Sequence, residues 1–172
     1  MSRGGLVIGG IVAMAAGIAA WKGREIRALL SLTGRGWDRL HPEVKRRALR
    51  VLERAHALGL PVGVFEGWRS AERQRELMRR GNSWVGDPDA SYHRWGLAVD
   101  FVFLDPFGRW TWERPRTDWE KLGRIIEAEG FEWGGRWRRF DGPHAQLPLL
   151  SIAELKDRYQ VPERYVAEVA VA

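Results

Sequence analysis

The chain has 172 residues, the length of one domain, and is 45% hydrophobic against 29% charged, which excludes a disordered chain. Its formal charge is +6, and 24 of its 28 basic residues are arginine, a surface suited to nucleic acid, anionic lipid or an acidic wall polymer. It has no cysteine, which excludes disulfides, thiolate nucleophiles and Cys-based zinc modules and leaves His and carboxylates as the ligands for any metal.

Gly4 to Trp21 is a run of 18 uncharged residues between Arg3 and Lys22. That is near the lower length limit for a spanning helix. Small residues recur every fourth position (Gly5, Gly9, Ala13, Gly17), the close-packing pattern of transmembrane helix pairs. An N-terminal hydrophobic helix is expected here, as an uncleaved anchor, a cleaved signal or a buried helix. The expected division is a membrane segment over 1–30 and a soluble domain over 31–172.

His41 to Leu60 reads as a helix with Pro42 in its first turn, an apolar stripe from Val44 to Leu58, and Gly59 as its stop. His41 and His56 are expected as capping or surface residues. Pro61 to Glu66 reads as a strand, and Ser70 caps a helix over 71–80. A Gly/Asn/Asp/Pro loop follows to Ala90. Leu97 to Leu104 is the most strand-like run, closed by an Asp105-Pro106-Phe107-Gly108 turn. Thr117 to Glu120 reads as a capping box for a helix to Glu129, and Ser151 to Glu154 as another for a helix to Tyr159. Phe131 to Trp137 and His144 to Leu147 are expected strands. The fold class is α+β: one small domain with a central antiparallel sheet flanked by helices. Ten tryptophans supply core and surface rings, and such rings also line ligand clefts.

Two stretches carry chemistry. In Ser91-Tyr92-His93-Arg94-Trp95-Gly96-Leu97-Ala98-Val99-Asp100, Asp100 interrupts an apolar strand, where a carboxylate is costly unless paired. Strand parity puts it on the face of Ala98 and Val102, and Gly96 can provide the bend that brings His93 to the same point. A buried Asp satisfied by an arginine or by backbone amides is the alternative. In the second stretch, Asp141-Gly142-Pro143-His144-Ala145-Gln146 brings a second carboxylate and histidine across a turn. Together they offer two histidines and one carboxylate as ligands and one spare carboxylate, the composition of a catalytic zinc site. No Gly-x-Ser-x-Gly elbow and no His-Glu-x-x-His is present. Nothing marks a nucleic-acid module.

Ser-x-His-x-x-Gly-x-Ala-x-Asp (Ser91 to Asp100) followed by Asp-x-Pro-His-x-Gln (Asp141 to Gln146) resembles the VanY-type D-alanyl-D-alanine carboxypeptidase family of zinc peptidases, within it the L-alanyl-D-glutamate endopeptidases that include phage endolysins. The resemblance covers about residues 35 to 160. It implies a hedgehog/DD-peptidase-like fold and one Zn2+ held by His93, Asp100 and His144, with Asp141 as catalytic base. Glu66-Gly67-Trp68-Arg69-Ser70 is similar to the family's Gly-Tyr-Arg-Ser segment, with Trp68 in the Tyr position. Arg69 would then bind a substrate carboxylate or carbonyl and stabilise the oxyanion, with Gln74 and Ser91 also in the substrate-binding pattern. The implied reaction is hydrolysis of the L-alanyl-D-glutamate bond of the peptidoglycan stem peptide, with D-alanyl-D-alanine carboxypeptidase activity as the alternative. The expected partners are the stem peptide, the anionic cell wall and, through residues 4–21, the inner membrane, with no nucleic acid and a monomeric chain. The expected location is membrane-anchored or released to the periplasm and wall, as in phage enzymes whose signal-arrest-release segments leave the bilayer.

Overall fold

The computed structural model describes residues 33–169. The apolar stretch 4–21, and with it the boundary at residue 30, lies outside the described residues. Among the described residues, no helix is long and apolar enough to cross a membrane.

The first helix, α1 (Pro42–Ala57), buries Val44, Ala48, Val51, Leu52 and Ala55, the stripe its sequence spells. His41 caps it by accepting from Glu43 N at 3.1 Å, and Gly59 ends the turn with φ 72°. His56 Nε2 meets Val62 O at 2.7 Å, tying the helix to the strand that follows. That strand is β1 (Val62–Glu66), and α2 (Ala71–Arg79) starts on the Ser70 cap, whose hydroxyl accepts from Arg73 N at 3.2 Å. After a loop come β2 (Ala98–Leu104), the short β3 (Trp110–Thr111) and α3 (Arg116–Ala128). The chain closes with β4 (Glu132–Trp133), β5 (His144–Gln146), α4 (Ile152–Tyr159) and α5 (Pro162–Val169).

The sheet is antiparallel throughout, in the order β1-β2-β5-β4, with β3 also pairing with β2. Strand β2 is its axis. Phe103 meets Trp119 of α3 edge-on at 4.7 Å between ring centroids, so the odd-numbered Val99, Phe101 and Phe103 face the helices and are fully buried. The opposite face carries Asp100. Helices α1 and α3 are joined by a buried carboxylate: Glu129 accepts from Arg50 at 2.5 Å and Arg54 at 2.7 Å.

Three elements differ from expectation. Helix α3 begins at Arg116 with Pro115 at its N-cap, and no side chain caps it. Proline's fixed φ already suits the helix entry, and Asp118 is drawn into an ion pair with Arg114. The strand expected over 131–137 is only Glu132–Trp133, followed by a 3-10 turn over Gly134–Arg136. Two glycines there favour the turn, and the packing needs them bare. A Cβ on Gly134 would sit 2.7 Å from Asp141 O and 3.2 Å from His144 Cβ; one on Gly135 would strike the Trp133 ring at 2.2 Å. The third difference is α5, absent from the sequence reading. Its signal was available: Pro162 at the first position, Glu163 in the first turn, and Tyr165 and Val166 on the buried side. The capping box at Ser151 forms as expected, with both of its hydrogen bonds present.

Candidate active site

His93 lies on a 3-10 turn, Tyr92–Trp95, that ends at Gly96. Gly96 has φ +66°, and a Cβ there would come within 2.5 Å of Arg39 O. The expected bend is therefore real, and glycine is required both for its backbone conformation and for close approach. The turn delivers His93 to the open face of β2. Asp100 stands directly opposite His144 in the β2–β5 register, so the sheet itself makes them cross-strand neighbours.

The three side chains converge. His93 Nε2 is 3.2 Å from Asp100 Oδ1 and 3.2 Å from His144 Nδ1, and His144 Nδ1 is 3.3 Å from Asp100 Oδ1. Ligand atoms about 2.0 Å from a tetrahedral ion lie roughly 3.3 Å from one another. The triangle thus matches three vertices of such a site, with the fourth toward the cavity. The partners of the remaining nitrogens agree. His93 Nδ1 is 2.6 Å from Gly67 O, and His144 Nε2 is 3.0 Å from Gln146 Oε1. Each therefore donates away from the triangle and turns its lone pair inward, the usual second-layer arrangement of metal-binding histidines. Gln146 is oriented in turn by donating to Glu132 at 3.0 Å. These residues could hold a metal ion. Burial and then the Arg69 charge depress His93, keeping it neutral. Burial opposes ionisation of Asp100, yet the Arg69 charge beside it holds its carboxyl well below the usual carboxylate range. Burial would lower His144, but the charge of the adjacent Asp100 carboxylate raises it.

Arg69 stands behind this triangle. Its Nε donates to Glu66 Oε2 at 2.8 Å, Nη1 to Gln74 Oε1 at 3.4 Å, and Nη2 to Asp100 Oδ2. Glu66 and Asp100 face each other across β1 and β2, a like-charge pair that would repel without a cation between them. Arg69 is that cation. Asp100 therefore divides its oxygens, one to the histidines and one to Arg69. Gln74 is fully buried and donates to Ser83 Oγ at 2.7 Å, bracing the loop after α2. The sequence pattern alone assigns Glu66 no role. The structure buries it between Arg69 and Arg73; a carboxylate at a strand end just before a Gly-Trp-Arg segment was the available signal.

The triangle opens into a cavity of about 680 Å³, lined among others by Ser91, Asp141, Trp84, Trp112 and Trp137. Arg69 also lines it, whereas Gln74 lies behind Arg69. Asp141 is carried on the turn between β4 and β5. Its backbone O accepts from His144 N at 3.3 Å, and Trp133 Nε1 pins the turn from beneath through Gly142 O at 2.8 Å. Of the cavity's carboxylates among the described residues, Glu66 and Asp100 are ion-paired and Asp141 is not. Burial raises the Asp141 carboxyl above the usual range. A spare carboxylate beside a metal-ligand triangle is suited to carrying a proton.

Known proteins share this arrangement's sequence. The profile of the D-alanyl-D-alanine carboxypeptidase family matches residues 85–147, which span His93, Asp100, Asp141 and His144. The chain is 35% identical over 122 residues to the peptidoglycan L-alanyl-D-glutamate endopeptidase CwlK of Bacillus subtilis, covering 63% of this chain and 73% of that protein. It is 33% identical over 113 residues to the L-alanyl-D-glutamate peptidase of a Listeria phage, 64% of this chain and 38% of the phage protein. Among solved structures, the Serratia marcescens L-Ala D-Glu endopeptidase ChiX is 36% identical, with a TM-score of 0.50, over 63% of this chain and 80% of that one. The chain belongs to the D-alanyl-D-alanine carboxypeptidase family of peptidases, and its relatives include L-alanyl-D-glutamate endopeptidases.

Proposed function

We propose that this chain is a zinc-dependent peptidoglycan hydrolase that cleaves the L-alanyl-D-glutamate bond of the stem peptide. The observation that carries the reading is the 3.2–3.3 Å triangle of His93, Asp100 and His144, with both histidine tautomers fixed from outside. The named activity of the relatives supports the bond assignment. His93 Nε2, Asp100 Oδ1 and His144 Nδ1 would hold one Zn2+. When bound, zinc would polarise a carbonyl and lower the pKa of a bound water to about 7.

The remaining chemistry belongs to the chain's own residues. Asp141 accepts the proton of the attacking water and returns it to the nitrogen of the departing D-glutamate. Burial suits it to the first transfer, because a carboxyl raised above the usual range takes up a proton more readily than one held low. Arg69 keeps Asp100 ionised and aimed, and so fixes the ligand geometry from behind. Ser91, Trp84 and Trp137 line the channel for the peptide. The basic surface would favour encounter with the polyanionic wall. The uncharged stretch 4–21 between basic flanks supports a membrane anchor or signal-arrest-release segment over 1–30, with the peptidase domain over 31–172.

Removing the metal tests the reading. Treatment with a chelator should abolish release of muropeptides from purified peptidoglycan, and one equivalent of zinc should restore it. Full activity of protein shown to be metal-free would overturn the assignment.

A further inference from the structure

The proposed scissile bond lies one residue from a sugar, because the stem's L-alanine is joined through a lactyl group to the muramic acid ring of the glycan strand. One residue spans at most about 3.6 Å. Even with the lactyl link, the pyranose ring must sit within roughly 10 Å of the reacting carbonyl, inside the cavity or on its rim. A pyranose presents an apolar C–H face ringed by hydroxyls, so its natural partner is a flat aromatic ring with an uncovered face at a wet edge.

Most aromatic rings of the cavity are already engaged. The guanidinium of Arg139 covers Trp84 at 3.6 Å. Trp137 leans on His144 at 5.0 Å and donates its Nε1 to Glu132 at 2.8 Å. Arg35 stacks over Phe65 at 4.9 Å. Tyr92 uses its hydroxyl on Leu150 O at 3.3 Å. Trp112 differs. It lines the cavity, is 45% exposed, and among the described residues has no cation over its ring. Phe65 braces it in a T-shaped contact at 4.9 Å. Two residues earlier, Trp110 is opposite Leu104 in the register, which by parity places it on the Asp100 side of β2, and it is 43% exposed. The apolar surface therefore starts in the catalytic cavity and runs outward along β3, as a polymer leaving the site would.

We propose that Trp112, extended by Trp110, is a saccharide subsite that stacks on the muramic acid ring attached to the cleaved stem peptide. The subsite rests on the endopeptidase reading above. It makes the enzyme one that recognises the peptide together with its sugar and discriminates against peptides already detached from the glycan.

The test compares two soluble substrates, N-acetylmuramyl-L-Ala-D-Glu-L-Lys and N-acetyl-L-Ala-D-Glu-L-Lys. Wild-type enzyme should show the higher kcat/KM on the first. Trp112→Ala should reduce that preference by about tenfold, the size of one good aromatic contact, and Trp112→Phe should recover part of it. Equal kcat/KM of the wild type on both substrates, or a Trp112→Ala variant that lowers both by the same factor or neither, would overturn the subsite while leaving the endopeptidase reading intact. If wild-type enzyme cuts neither substrate, the endopeptidase reading and the subsite built on it both fall.

Discussion

Replacing Asp141 with alanine should leave zinc affinity near the wild-type value and lower kcat by about 10²- to 10⁴-fold, the usual contribution of a general acid–base group. The separation of the two effects follows from position. Asp141 contributes no atom to the ligand triangle, and its backbone, rather than its side chain, contacts His144. The turn that carries it is held by Gly142 O and by the bare Gly134, neither of which the substitution touches. The checks are zinc titration and steady-state kinetics on the same preparation. Retention of near-normal kcat would show that another group carries the proton.

Arg69→Lys should weaken zinc binding by about 10- to 100-fold, as loss of a partner behind a metal ligand does, and should reduce activity through that loss. Lysine keeps the charge but cannot bridge Glu66, Gln74 and Asp100 at once, because it lacks the planar fork. Glu66 and Asp100 would then face each other across the strands with a single flexible ammonium between them. This outcome also separates two roles for Arg69. A residue that mainly binds substrate carboxylate or stabilises an oxyanion would change kcat/KM while zinc affinity stayed constant. The observed bonds place Arg69 on Asp100, so zinc affinity is the discriminating readout.

The three residues proposed as ligands stand out in the sequence because each one breaks a local rule. Asp100 is a carboxylate inside an otherwise apolar strand, and Gly96 is a glycine where a strand should begin. His144 enters a strand behind an Asp-Gly-Pro turn. Such violations persist only where something compensates them. Both readings of Asp100 left open by the sequence hold together in the structure: one oxygen joins the histidines, and the other is satisfied by an arginine. What the sequence did not reveal is long-range register. The meeting of Glu66 with Asp100 depends on the β1–β2 pairing and on an irregularity between Val64 and Glu66, which no local pattern encodes. The placement of Trp112 likewise depends on a strand of two residues, too short to leave a periodic signal. The role of Arg94 was hidden for the same reason. It is buried beside His93, donates to Arg69 O at 3.0 Å and Asp89 at 2.8 Å, and reaches Glu163 of α5 at 2.6 Å. That arginine ties the last helix to the turn that presents His93, a contact between residues 69 positions apart.

Secondary structure itself followed the local chemistry closely wherever a cap or glycine stop was present. His41, Ser70 and Ser151 start their helices, and Gly59 and Gly130 end theirs in the left-handed region. The expectation failed at Thr117, where proline supplied the start instead, and over 134–137, where tertiary packing required glycine to turn rather than extend.

Mass spectrometry of the fragments released from purified peptidoglycan by the zinc-loaded enzyme identifies the bond that is cut. Stem peptides with a new N-terminal D-glutamate are expected, with glycan strands that retain a single L-alanine on each cleaved stem. Free D-alanine with the L-alanyl-D-glutamate bond intact would contradict the endopeptidase reading and identify the chain as a carboxypeptidase instead.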